Sequence, residues 1–169
     1  PVTSACNLNC PVCYTINKNH KPYFAGKQEF QSVLDGIRAV DRDMQIVNFT
    51  GGEPLMHPDF CGLVEMCRKE GVHRITISTN GLKFLEDAEL LPRLTELNAR
   101  IVLSFNSFKS EPYIITSGQD LLEKKLRILE LLGKYKPVTS LLTVVAGGVN
   151  DGEIGDIVRH VLKSDFIVS

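Results

Sequence analysis

Ala5-Cys6-Asn7-Leu8-Asn9-Cys10-Pro11-Val12-Cys13-Tyr14 holds three of the chain's five cysteines. It follows directly on Pro1-Val2-Thr3-Ser4, which reads as the tail of a first strand. A doubly wound nucleotide-binding sheet wants a glycine-rich phosphate fingerprint after its first strand, and a cysteine loop stands there instead. Thiolates at i, i+4 and i+7 reach one centre only if the backbone loops round it, and Asn7, Asn9 and Pro11 suit such a loop. A structural zinc site or an ordinary electron-transfer cluster wants a fourth protein ligand nearby. Three thiolates fit a [4Fe–4S] cluster whose fourth iron is left to a small molecule. A metal-free chain with buried thiols, or zinc completed by a histidine such as His20, are the alternatives at this point. The odd count and the chain length argue against a secreted disulfide framework.

Outward from this loop the chain alternates strands and helices. Gln45-Ile46-Val47-Asn48-Phe49-Thr50 predicts a strand ending in Gly51-Gly52-Glu53-Pro54. Further strands are expected over Arg74 to Thr79, closed by Asn80-Gly81, then Arg100 to Phe105, Val138 to Val145, and from Phe166. Between them, helical spacing is read from Gln28 to Val40, from an Asp59 cap through Cys67, over Asp87 to Glu96, from Asp120 to a stop at Gly133, and from Ile154 to Leu162. The stretches Ile16 to Lys27 and Asn106 to Gly118 read as irregular. Strands that are nearly continuously apolar or β-branched, each followed by a helix, predict a parallel α/β sheet covered by helices. The fold expected is a partial (β/α)6 TIM-like barrel. Its chemistry belongs in the loops after the strands. The polar and glycine-rich tips do fall there: Cys6 to Cys13, Gly51 to Pro54, Ser78 to Gly81, Ser104 to Asn106, and Val145 to Asn150.

The 169 residues are 43% hydrophobic, enough for one domain with a sizeable core. With 19 basic and 20 acidic residues the formal charge is −1, so no basic surface points to nucleic acid. No run is long and apolar enough to suggest a transmembrane segment. Reduced thiolates imply a cytoplasmic, reducing setting. The absence of an initiating Met and the last residues, which read as a strand just begun, suggest that residues 1–169 are a core domain of a longer protein.

The spacing Cys6-xxx-Cys10-xx-Cys13, with Gly51-Gly52-Glu53-Pro54 after the second strand, resembles the radical S-adenosylmethionine (radical SAM) enzymes over the whole chain. Cys-Asn-Leu-Asn-Cys-Pro-Val-Cys-Tyr and Gly148-Val149-Asn150-Asp151-Gly152-Glu153-Ile154-Gly155 look like a branch that includes archaeal tetraether lipid synthase and proteins proposed to be pterin methyltransferases. The resemblance implies that Cys6, Cys10 and Cys13 ligate the cluster and that SAM chelates its open iron. Reductive cleavage of SAM then gives a 5'-deoxyadenosyl radical that abstracts hydrogen from a substrate, for methylation or carbon–carbon bond formation. A peptide- or cofactor-modifying relative is the alternative within the family, and a non-catalytic iron–sulfur module the alternative outside it. A flavodoxin or ferredoxin is the implied reductant.

By the same resemblance Gly51, Gly52, Glu53 and Pro54 meet the methionine end of SAM. Ser78 and Asn80 are placed for its carboxylate or ribose, and Ser104 and Asn106 for SAM or substrate. Val145, Asn150 and Tyr14 are placed on the adenine side. Relatives carry an acidic residue near Asn106, and this chain does not. Cys61 and Cys67 read as inert helical thiols, His57 as part of the approach to a helix, and His160 as a solvated helical residue.

Overall fold

Four parallel strands make the sheet of the computed structural model, which describes residues 1–15 and 20–168. β1 (Ile46–Phe49), β2 (Arg74–Thr79), β3 (Arg100–Ser104) and β4 (Thr139–Leu142) lie side by side in chain order. Ile46 pairs with Arg74, Thr76 with Arg100, and Ile101 with Thr139. Single parallel bridges extend the sheet on both flanks, Thr3 beside Gly51 and Ile167 beside Thr139. The expected order of six strand positions is therefore present, with the first and last reduced to bridges. Of the irregular stretch expected from Ile16, residues 16–19 lie outside the described residues.

The helices are α1 (Lys27–Val40), α2 (Phe60–Lys69), α3 (Lys83–Glu86), α4 (Leu90–Glu96), α5 (Ser110–Ser117), α6 (Leu122–Tyr135) and α7 (Ile154–Lys163). Strand side chains alternate between faces. Ile75, Ile77, Ile101 and Leu103 have no exposure and join Leu63 and Val64 of α2, Leu94 of α4 and Ile128 of α6 in one core. Thr76, Ser78, Val102 and Ser104, on the other face, are only half-buried. The strands are thus one-sided, not buried on both faces as their apolar content predicts.

Three expectations about element ends need correction. The connection Asn106 to Gly118 contains α5, which ends at Gly118 in the left-handed region (φ 76°). Pro112 does not prevent this helix, because it sits in the first turn, where backbone N–H groups have no intrahelical acceptor. Gly133 does not end α6, which runs on to Tyr135 and reverses at Lys136 (φ 51°). A Cβ at Gly133 would lie 3.4 Å from Phe166 Cε1, so the glycine makes room for a neighbour. The strand expected to run to Val145 leaves the ladder after Leu142. There Asn106 and Asn150 side chains take over its backbone groups: Val144 N donates to Asn106 Oδ1 (3.1 Å) and Asn150 Nδ2 donates to Val144 O (2.8 Å).

His57 does sit at the approach to α2. Its Nε2 lies 2.9 Å from Ala25 O, and its Nδ1 accepts from Asp59 N at 3.2 Å. His160 is not solvated as expected: it is half-buried, with its ring 5.4 Å from that of Phe108. Among the described residues no helix is long and apolar enough to cross a membrane.

Cys67 has no exposure, and burial pushes its thiol up from 9.0 to about 11. The unfolded chain therefore gives up this proton first. Stability tied to the neutral thiol is complete below pH 9 and is lost as pH rises through about 11. Thermal melts across that window should fall more steeply for the wild type than for Cys67→Ala. Parallel curves would show that the thiol does not contribute.

Candidate active site

The residues around the cysteine loop are held by backbone before any side chain acts. Val2 N donates to Thr50 O (3.1 Å), Gly52 N to Thr3 O (3.0 Å) and Glu53 N to Ala5 O (2.7 Å). This short ladder lays the lead-in to the loop against the end of β1. Its closeness requires glycine: a Cβ on Gly51 would stand 2.3 Å from Thr3 O, and one on Gly52 2.3 Å from Ala5 O and 2.6 Å from Ser4 O. The space that the two missing side chains leave is therefore filled by the chain's own first segment. Gly52→Ala should cost roughly 1–3 kcal/mol through overpacking against rigid backbone. Gly147→Ala, with nothing within 4 Å of its Cβ, is the control. Equal urea midpoints for the two variants would refute the packing argument.

Cys6, Cys10 and Cys13 are each half-buried, and no disulfide joins them. Leu8, 7% exposed, anchors the loop, with its N donating to Cys6 Sγ (3.4 Å), and Cys13 N closes a turn onto Cys10 O (3.1 Å). Tyr14 is 89% exposed.

Glu53 links the loop's support to the next strand. Its side chain is 1% exposed; Oε1 accepts from Thr79 Oγ1 (2.7 Å) and Leu55 N (3.1 Å), and Oε2 from Asn80 N (2.7 Å). Both oxygens are engaged within the protein. Burial raises the carboxyl's pKa, and the Asn80, Thr79 and Leu55 donors, together with the charge of Lys125, oppose that rise. Pro54 opens the 3₁₀ turn Pro54–Met56 and is buried.

Asn80 is the joint of the site. Its Nδ2 donates to Asn7 Oδ1 (2.7 Å), between the first two cysteines, and its Oδ1 accepts from Leu82 N (2.9 Å). Its backbone O accepts from Lys125 Nζ (2.7 Å). Ser104 O and Oγ also accept from Lys125 Nζ, at 2.6 and 3.2 Å. Ser78 Oγ lies 3.5 Å from Asn48 Oδ1 on the half-buried face.

Asn106 and Asn150 form a second bracket at the end of β4. Asn150 Nδ2 donates to Asn106 O (2.8 Å), and Asn106 Nδ2 to Thr116 Oγ1 (3.2 Å). Their polar atoms are spent on holding loops. Val145 stands apart, half-exposed in an apolar groove of about 340 Å³ with Leu141, Ile157 and Val161, which no cysteine lines.

The sequence reading placed Cys6, Asn80, Glu53 and Ser104 on adjacent strand ends, and the structure connects all four elements. It missed Lys125, Thr79 and Asn7. A signal for Lys125 existed: it falls on the apolar stripe Leu121, Ile128, Leu129, Leu132 of α6, where a charge has no ordinary place.

The donor set suits a polynuclear iron–sulfur centre. Among the described residues no three His, Cys, Asp or Glu side chains gather closely enough for a single metal ion. A cluster takes each thiolate on a different iron and so needs a wider spacing. Asn7 Nδ2, buried in the same loop without a partner, leaves a donor for an acceptor there.

The family model described as the radical SAM superfamily matches residues 1–161. The chain is 32% identical over 171 residues to 7,8-dihydro-6-hydroxymethylpterin dimethyltransferase of Methanocaldococcus jannaschii, covering 99% of this chain and 33% of that protein. It is 35% identical over 172 residues to GTP 3',8-cyclase of Peptoclostridium acidaminophilum, covering 99% and 52%. Among solved structures, anSMEcpe with bound AdoMet and Kp18Cys peptide superimposes with a TM-score of 0.69 at 26% identity, covering 97% of this chain and 45% of that one. Streptococcus suis SuiB bound to precursor peptide SuiA gives a TM-score of 0.75 at 19% identity, over 92% and 34%, and shows the fold alone. The chain spans a third to about half the length of the curated relatives it matches.

Proposed function

The chain belongs to the radical SAM superfamily, whose enzymes use a [4Fe–4S] cluster and SAM, and we propose from that premise that residues 1–169 are a core domain in which Cys6, Cys10 and Cys13 hold the cluster. The observation that carries this reading is the clamp on the cysteine loop: the Gly51-Gly52 backbone ladder on one side and the Asn7–Asn80 bond on the other. A cluster held by Cys6, Cys10 and Cys13 would supply the electron for reductive cleavage of SAM, and with it the capacity for radical hydrogen abstraction.

The chain's own residues do the positioning. Glu53 fixes the ends of β1 and β2 relative to each other, so that Asn80 can brace Asn7. Lys125 ties the ends of β2 and β3. Gly51 and Gly52 let the loop's lead-in lie flat against the turn whose backbone is the candidate contact for the methionine end of SAM. Ser78 and Ser104 stay half-buried on the open face and are the candidate polar contacts there. Asn106 and Asn150 support loops and need no direct contact with SAM. An external reductant of the flavodoxin or ferredoxin type supplies the electron.

For the substrate, we favour a fused nitrogen heterocycle of the pterin or purine class. The relatives at 32% and 35% identity are named for a pterin dimethyltransferase and a GTP cyclase, whereas the peptide-bound structures are 19% and 26% identical. Anaerobically reconstituted protein with dithionite and SAM should release 5'-deoxyadenosine. Addition of a dihydropterin or GTP should accelerate release more than a cysteine-containing peptide does. A brown protein that never cleaves SAM would instead be an iron–sulfur module, and acceleration by the peptide alone would reverse the substrate assignment.

A further inference from the structure

The strand ends carry a buried cation that the chain could have done without. Lys125 is 1% exposed, in a helix face otherwise made of Leu121, Ile128, Leu129 and Leu132. An aliphatic residue there would avoid the desolvation cost of a charge. The ammonium instead spends its three protons on Asn80 O, Ser104 O and Ser104 Oγ. None of these acceptors is a carboxylate, so among the described residues nothing in direct contact neutralises the charge.

Glu53 acts on it from a distance, and Cys10 in the same direction more weakly. Glu53 is linked through Asn80, whose N donates to Glu53 Oε2 while its O accepts from Lys125. The same residue reaches the cysteine loop through Asn80 Nδ2 to Asn7 Oδ1. The cation is thus one residue removed from the loop that carries three thiolates.

We propose that Lys125 is a positioning residue whose charge, held beside the cysteine loop through Asn80 and Asn7, raises the reduction potential of the cluster bound there; this rests on the cluster reading given above. Three thiolates make the centre anionic, and one-electron reduction adds a further negative charge. A fixed cation in a low-dielectric surround favours the more negative state. Burial pushes the lysine down to about 8, while Glu53 and Cys10 act in the opposite direction.

The test separates charge from scaffold. Lys125→Gln keeps N–H donors for the two carbonyls and drops the charge. We expect it to load iron like the wild type, while the ratio of reduced to oxidised cluster at a fixed potential, read by EPR, falls about tenfold. For a one-electron couple that is a shift of about 59 mV to more negative potential. An unchanged ratio in a fully loaded variant overturns the proposal and leaves the cluster reading intact. A wild type that takes up no iron overturns both. If Lys125→Gln does not fold, Glu53→Gln is compared with Glu53→Gln/Lys125→Met, which removes both buried charges together. The double variant should be the harder to reduce by the same factor, and equal potentials overturn the proposal.

Discussion

Cys10→Ala should reduce 5'-deoxyadenosine formation to the level without enzyme, while the protein stays folded. The loop at this point is held by backbone: Cys13 N donates to Cys10 O, and Leu8 is buried as its anchor. Neither needs the Cys10 thiol. The half-buried side chain packs against the edge of the core, so trimming it should cost about 1 kcal/mol, too little to unfold the domain. The thiolate, by contrast, has no substitute in the loop, because the two remaining cysteines, Cys61 and Cys67, lie on α2. Iron content, visible absorbance and product should fall together. Cys67→Ala, which alters a fully buried core thiol, should retain all three. Wild-type product yield from Cys10→Ala would defeat the cluster assignment, whereas loss in both variants would point to folding.

Glu53→Ala should be the most destabilising single change at the site, by roughly 3–5 kcal/mol. It strands three donors, Thr79 Oγ1, Leu55 N and Asn80 N, inside the protein. Each buried unmet donor costs about 1–3 kcal/mol. It also removes the carboxylate that acts on Lys125 from a distance across Asn80. These penalties overlap, so they do not sum. In urea the midpoint should drop with little change in slope. Glu53→Ala/Lys125→Met should lose less than the two single changes added together. Strict additivity would mean that the two groups are energetically independent, and a loss under about 1 kcal/mol would mean that Glu53 is not the tie the geometry makes it.

This tie explains why the Gly51 to Pro54 motif was legible while its mechanics were not. Its position after a strand, and the cysteines after the strand before it, are features of spacing, and spacing survives in a linear reading. The sequence cannot show that Glu53 turns inward onto Thr79 and Asn80, or that Gly52 is needed against Ala5 O. Both depend on which strand lies beside which. Asn80-Gly81 reads as a turn from composition alone. That its side chain bonds to Asn7, 73 residues away, is a property of the closed sheet.

Asn106 and Asn150 carry a structural duty that spacing does not reveal. Two polar residues at strand ends look like ligand contacts, but the chain leaves the ladder after β4, and its orphaned backbone groups take those amides first. Buried backbone must be paired, and a nearby Asn is the least costly partner.

The amino-acid order by itself determined the strand–helix alternation, the parallel sheet and the three-thiolate loop, because local periodicity and the spacing of cysteines are carried along the chain. Tertiary structure alone decided what faces the loop. Lys125 looked like one more charge on a leucine-rich helix until α6 packed beneath β2 and β3. There the protein's interior strips its water and leaves it the carbonyls of Asn80 and Ser104 as partners. Desolvation and long-range pairing are consequences of the closed fold.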